Sequence, residues 1–322
     1  GFRNDELGLN VTVTNVVPKS LDVFVRDIEV EVDADSPVED VEVVSYENFN
    51  LVEDKDAIVP TQDWCTEGEN GEDAGYDTAA DAVVHEDPDR DHGLFGQDGA
   101  EFSVATAMAF DGKSTQHQVA GDGYMGNHPG DPYGLLTNGT TDLPGDDEFT
   151  GQTSAALTRE LDFEDGEGEA RVYFAAASDP VPDKEIGGKA VEKIDEARGM
   201  SLQNAMEEKE DWFRGYVEDA PMPEGAPENV TRVSRRALVS IVQAWDGETE
   251  SEHGFSGNII ASVATQAPYG ADWIRDGAYF NYVIDRYMGE GGDGIHGWVN
   301  KHNRWYMSLQ QNPGGPCPAH CH

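Results

Sequence analysis

Cysteine is scarce: Cys65, Cys317 and Cys321 are the only three in 322 residues, too few and too unevenly placed for a disulfide framework. Lysine is scarce as well, with 8 against 13 arginines, and basic residues as a class are heavily outnumbered. The 21 Lys and Arg face 64 Asp and Glu, for a formal net charge of −43. No basic patch survives that count, which excludes nucleic-acid binding through phosphate neutralisation and disfavours docking on anionic lipid. Long hydrophobic runs are missing too, since none approaches the roughly 18 residues that span a bilayer. No basic-then-apolar leader stands at the start.

What is present is carboxylate, and carboxylates hold water and cations at a surface. Salt of molar strength shortens the Debye length to about 3 Å and removes most of the self-repulsion. The composition therefore predicts a soluble, salt-adapted protein, working either in the cytoplasm of a salt-accumulating organism or in brine outside it. Apolar residues make up 38% and aromatic ones 9%, but they fall in patterned runs, which argues against disorder throughout.

The charge is uneven. Residues 228–322 carry 10 acidic and 7 basic residues, net −3, and four of the six Trp, whereas residues 1–227 carry 54 acidic and 14 basic. The last segment reads as the inside of something larger. Ahead of it, apolar and polar residues alternate in Leu9–Val13, Leu21–Val32 and Val41–Val44, each with one mainly apolar face. Further strands are predicted at Phe102–Phe110, His117–Val119, Ala155–Leu161 and Ala170–Ala177, separated by Gly, Asp, Asn and Pro clusters. Many strands at short spacing predict an antiparallel β-sandwich. The polar, Gly- and Asp-rich stretch Glu67–Ala100 is read as a long surface excursion, with His85, His92 and His128 in polar loops.

After Pro180 the period becomes helical. A helix or helix pair is predicted over Ala190–Val217, interrupted near Gly199, and then the stiff segment Pro221–Pro227. Three more amphipathic helices follow: Asn229–Trp245, the helix carrying Trp273, Gly277, Phe280, Ile284 and Tyr287, and Ile295–Gln311 with Trp298, His302, Trp305 and Leu309 on one face.

Within this last segment, the run from Asn258 to Phe280 contains Tyr269-x-x-x-Trp273-x-Arg275-Asp276. It resembles the signature that opens the catalytic barrel of glycoside hydrolase family 15, the glucoamylase-like enzymes. Tyr46-Glu47-Asn48-Phe49, Ala109-Phe110-Asp111 before His117-Gln118-Val119, and Thr150-Gly151-Gln152 before Ala155-Ala156-Leu157 resemble the β-sandwich that precedes that barrel in prokaryotic members. The resemblance implies a β + α multidomain chain, an N-terminal antiparallel β-sandwich followed by the first helices of an (α/α)6 barrel. The boundaries expected are 1–178 for a sandwich incomplete at its start, 179–227 for a helical linker and 228–322 for the opening of the barrel.

The resemblance also implies roles. Arg275 and Asp276 would hydrogen-bond hydroxyls of the non-reducing glucose, and Trp273 and Tyr269 would form the wall and floor of that subsite. Forked donors and bidentate acceptors suit neighbouring hydroxyls, and aromatic rings suit apolar sugar faces. The plainer alternative is that Trp273 is a core residue and Arg275-Asp276 a surface pair. The implied reaction is inverting hydrolysis of α-glucosidic bonds, releasing glucose from non-reducing ends of an α-glucan or oligosaccharide. It needs a general acid and a general base about 6.5–9.5 Å apart, which in the family are Glu residues well beyond the Trp-x-Arg-Asp helix. Twelve helices need roughly 215 residues, so the 95 from Glu228 to His322 read as part of a barrel without its acid/base pair. A non-catalytic carbohydrate-binding protein, or a relative acting on trehalose or dextran, stays open.

No cofactor and no metal site are expected. Cys317, His320, Cys321 and His322 offer ligands at a terminus without fixed geometry. Asp87, Asp89, Asp91 and Asp98 fit positions 1, 3, 5 and 12 of a calcium loop, but His92 stands where the turn wants Gly, and a solvated acidic loop is the better reading.

Overall fold

The computed structural model describes residues 1–48, 72–91, 101–121, 130–139, 142–151, 153–179, 181, 183–218, 220–222, 224–250, 256–259, 274–287 and 295–309. They fall into two compact units, one holding the described residues of 1–206 and the other those of 207–309.

The first unit is antiparallel β-structure. Its strands are β1 (Phe2–Asn4), β2 (Leu9–Val16), β3 (Val23–Val32), β4 (Glu42–Glu47), β5 (Glu72–Asp77), β6 (Ala82–Asp91), β7 (Glu101–Phe110), β8 (Gln116–Gly121), β9 (Glu148–Gly151), β10 (Thr153–Glu160) and β11 (Glu167–Asp179). A short helix α1 (Pro132–Thr137) lies between β8 and β9. Eight strands form one sheet in the order β1-β2-β3-β11-β7-β6-β5-β9, and β4-β10-β8 form a second. Every pairing is antiparallel.

Two cores lie on the two faces of the large sheet. Met108, Phe110, Val83, Val30 and Val172 meet Val119, Ala155 and Leu157 of the small sheet. On the opposite face Ala82, Ala105, Ala107, Ala109, Ala175 and Ala177 meet Ile186, Ala190, Ile194 and Ala197 of helix α2 (Ile186–Arg198). Strand β3 serves both: Val23 and Val25 join the helix-side core, whereas Ile28, Val30 and Val32 face the other way. The helix is tied down at both ends. Gly187 donates its N–H to Glu86 Oε2 at 3.1 Å, and a Cβ on Gly187 would lie 2.5 Å from that oxygen. At the other end Arg198 donates to the Phe110 carbonyl at 2.7 Å.

The stretch 67–100 is not a surface excursion where it is described. It supplies β5 and β6, and β6 pairs with both β5 and β7 inside the large sheet. Asp and Gly lower the strand signal of these residues, while neighbours on both sides satisfy their backbone.

The second unit contains most of α3 (Leu202–Val217), then α4 (Glu228–Gln243), a hairpin of β12 (Trp245–Glu250) and β13 (Ser256–Ile259), α5 (Ile274–Tyr287) and α6 (Ile295–Leu309). Its core gathers Leu238, Val242, Ile259, Ile284 and Trp298, flanked by Trp212, Phe213, Tyr216, Trp245 and Phe280. The expected apolar face of α4 is covered only in part: Leu238 and Val242 are buried, whereas Val230 and Val233 are exposed. No helix among the described residues is long and apolar enough to cross a membrane.

Candidate functional site

The sequence signature begins beside the β12–β13 hairpin. Gly257 has φ +111°, and a Cβ there would stand 2.8 Å from the Trp245 ring and 2.9 Å from Lys301 Cβ. Only glycine lets the backbone run this close with that conformation. Ile259 is fully buried two residues on. Trp245 stacks on Trp298 at 4.8 Å between centroids and 4° between planes, and Tyr216 meets the same indole at 4.9 Å. Hairpin, α3 and α6 are thereby pinned to one aromatic centre.

Helix α5 carries Arg275 and Asp276 in its first turn. Tyr269 and Trp273 lie outside the described residues, as do the Cys317–His322 ligands and Cys65. Below the first turn α5 is held against α6 by a polar contact: His302, fully buried, lies with Nδ1 2.9 Å from Asn281 Oδ1. Asn281 Nδ2 donates to Asn303 Oδ1 at 3.3 Å, so its oxygen faces the imidazole and Nδ1 carries the proton of that contact. His302 also lies 4.4 Å from Tyr306, ring to ring. Its place on the Trp298–Trp305 face was legible from spacing, but its polar partner on α5 was not.

In the first unit, sequence reasoning missed a buried polar cluster. His85 on β6 is fully buried, with Nδ1 2.6 Å from Thr153 Oγ1 on β10 and Nε2 3.2 Å from Glu47 Oε1 on β4. The placing of His85 in a polar loop is corrected by the strand it occupies. The approach of Nε2 to Glu47 is an ion-pair distance and not a hydrogen bond, and Thr153 is 1% exposed and Glu47 5%, so the three do not make an accessible hydroxyl–imidazole–carboxylate relay. Asp87, Asp89 and Asp91 belong to β6 rather than to a loop, with a register shift between Asp87 and Arg90; Asp98 lies outside the described residues. Among the described residues no group of three His, Cys, Asp or Glu is placed to hold a metal.

An open groove of about 790 Å³ runs along β5 and β9, lined by Asp73, Tyr76, Glu86, Glu148, Phe149 and Lys184 among others. Burial raises the Glu86 carboxyl above its usual range, opposed by the Gly187 N–H. Burial and the bond from its hydroxyl to Asp81 raise Tyr76, whose ring stacks on His117 at 3.7 Å. These contacts knit the β5–β6 turn to β8 and assemble no reacting pair.

No family profile and no curated protein matches the sequence. Among solved structures, the fold is similar to that of a bacterial glucoamylase complexed with acarbose, with a TM-score of 0.54 at 12% identity, over 97% of this chain and 39% of that one. A protein from the human microbiome assigned as a kojibiose phosphorylase matches at TM-score 0.48 and 12% identity, over 76% of this chain and 27% of that one. An inverting mannosidase of family GH92 from Bacteroides thetaiotaomicron matches at TM-score 0.39 and 12% identity, over 73% and 26%. The chain thus spans about two fifths of the glucoamylase it resembles in fold.

Proposed function

We propose that the chain is the sandwich and opening barrel segment of a glucoamylase-like α-glucosidase, and that its own contribution is to hold the terminal sugar. The observation that carries this reading is the motif Tyr269-x-x-x-Trp273-x-Arg275-Asp276 entering a helix, in a chain whose fold is similar to a glucoamylase over 97% of its length. Arg275 donates to, and Asp276 accepts from, hydroxyls of the non-reducing glucose, while Trp273 and Tyr269 cover its apolar faces. The domain boundaries proposed are 178 and 228, with an (α/α)6 barrel as the fold to which α4, α5 and α6 belong. Hydrolysis with inversion requires two further carboxyl groups about 6.5–9.5 Å apart, and the reading assigns that pair to no residue of this chain.

The test is calorimetric titration of the full chain with acarbose in molar KCl, with trehalose and isomaltose as competitors to separate linkages. Arg275→Ala and Asp276→Asn should each weaken binding roughly ten- to a hundredfold, the scale of a lost hydrogen bond to a charged group at about 1.5–3 kcal/mol. Affinity unchanged in both variants would overturn the assignment.

A further inference from the structure

The groove along β5 and β9 is used by nothing in the proposed function, and all the residues that line it belong to the first unit. Glycine weakens a helix relative to alanine, yet two glycines stand together in the first turn of α2, and packing accounts for one of them. A Cβ on Gly187 would collide with Glu86 and Val84, whereas a Cβ on Gly188 would meet nothing within 4 Å. Gly188 is exposed and lines the groove. Its missing side chain leaves that groove open. The lining is apolar at Val84, Phe149 and Val191, all half-buried, and carries carboxylates at Asp73, Glu86 and Glu148. One oxygen of Glu86 accepts from the Gly187 N–H, and Asp73 accepts from the Thr150 hydroxyl at 2.6 Å. A second hollow, of about 630 Å³ and bordered by Val119 and Asp146, shares Glu148 and Phe149 with the first. The two adjoin along β9, which suits an extended ligand better than a compact one.

We propose that this groove is a second carbohydrate site, built without any residue of the Tyr269–Asp276 motif, in which the sandwich holds an extended stretch of α-glucan chain. That the sugar is an α-glucan rests on the proposed function; that the ligand is a neutral polyol follows from the groove itself. Its carboxylates turn away an anion. They do not select an organic cation either: among the described residues the lining holds Asp73, Asp77, Glu86 and Glu148 against Lys184, four to one, which is the background of a unit with 47 acidic and 12 basic residues. In molar salt the attraction of such a field reaches only about 3 Å. Sugar hydroxyls donate to carboxylates in charge-assisted bonds made at contact, inside that length. The C–H faces of the sugar rings find apolar surface at Phe149 and the two valines. The volume of about 790 Å³ lies within the range of about 300–1,000 Å³ for small-ligand sites, and the adjoining hollow extends it for a polymer.

The experiment is retention of the full chain on insoluble starch in molar KCl, measured in an Arg275→Ala background so that the terminal-sugar subsite is disabled. Gly188→Trp, at an exposed helical position with open space around it, should fill the groove and lower the affinity at least tenfold. Glu148→Ala should lower it about tenfold, the scale of a lost hydrogen bond to a charged group. Acarbose titration of Gly188→Trp with Arg275 intact should match the wild type. Retention that vanishes with Arg275→Ala alone overturns the proposal, as does retention unchanged by Gly188→Trp and Glu148→Ala, and displacement by millimolar spermidine would make the groove an organic-cation site instead. Retention that needs Gly188 in a chain that does not bind acarbose would leave this site standing and remove the terminal-sugar reading; acarbose binding without retention would do the reverse.

Discussion

The two units bury their surface in different ways. The first is held by backbone ladders over a core rich in alanine, at Ala82, Ala105, Ala107, Ala109, Ala155, Ala156, Ala170, Ala175 and Ala177. The second has little sheet and relies on large rings, Trp212, Tyr216, Trp245, Trp298 and Trp305. Charge divides the same way. Residues 1–206 carry 47 acidic and 12 basic residues, net −35, and residues 207–322 carry 17 and 9, net −8. A unit built on hydrogen-bonded strands can carry carboxylates on its outward positions, whereas one built on ring stacking spends its helix faces on aromatics.

The largest effect that could break this comparison is removal of salt. With the Debye length growing from about 3 Å to about 10 Å between 1 M and 0.1 M, the first unit should lose its cooperative transition in dilute buffer while the second keeps its own. Five of the six Trp lie in 207–322, so indole fluorescence follows the second unit and far-ultraviolet dichroism at β wavelengths the first. Persistence of both transitions without salt would sink the salt-adapted reading.

Next in size are single core truncations. Phe110→Ala, at a fully buried ring of the sandwich, and Trp298→Ala, at the centre of the aromatic stack, should each cost about 3–5 kcal/mol. Each loss should register in the signal of its own unit. Equal shifts in both signals for both variants would merge the two units into one cooperative block.

The smallest effect concerns the linker-side ion cluster. Lys189 bridges Asp179 at 2.8 Å and Asp183 at 2.7 Å, and its bonds lower both carboxyls. A lowered carboxyl contributes stability above its unfolded value, and that contribution is lost as pH falls through the folded one. Lys189→Ala should return both carboxyls toward about 3.9, seen by carbon NMR at low ionic strength, with no change in melting at molar salt because the groups are exposed.

Much of the fold was legible where one period dominates. The pairs α2–α3 and α5–α6 follow their three- and four-residue spacing, and the break expected near Gly199 falls between Arg198 and Leu202. Strand β3 shows why alternation alone falls short. Its apolar phase shifts from Val23 and Val25 to Ile28, Val30 and Val32 because coverage passes from the helix on one face to the small sheet on the other. Strands β5 and β6 were hidden by Asp and Gly, and with them His85. The cluster it forms with Glu47 and Thr153 joins strands 38 and 68 residues away in sequence, a pairing that depends on topology rather than on local pattern. Of the motif, the helix bearing Arg275 and Asp276 was legible from Phe280 and Ile284, whose partners include Trp298.

The alanine floor beneath α2 sets the helix's height above the sheet by what those positions omit. Its mutational profile should therefore be one-sided. Trimming Ala107 or Ala175 to Gly removes a single methyl and costs about 0.5–1 kcal/mol in backbone freedom, whereas Val or Leu at either place crowds a helix pinned at both ends by Glu86 and Arg198, and Ala at Gly187 must displace the Glu86 carboxylate and Val84 Cγ1. Growth of side chains there costs about 1–3 kcal/mol or more. A population of variants under selection would be barred from larger residues along this seam more strictly than from smaller ones, so its spacing would be inherited more faithfully than its residues.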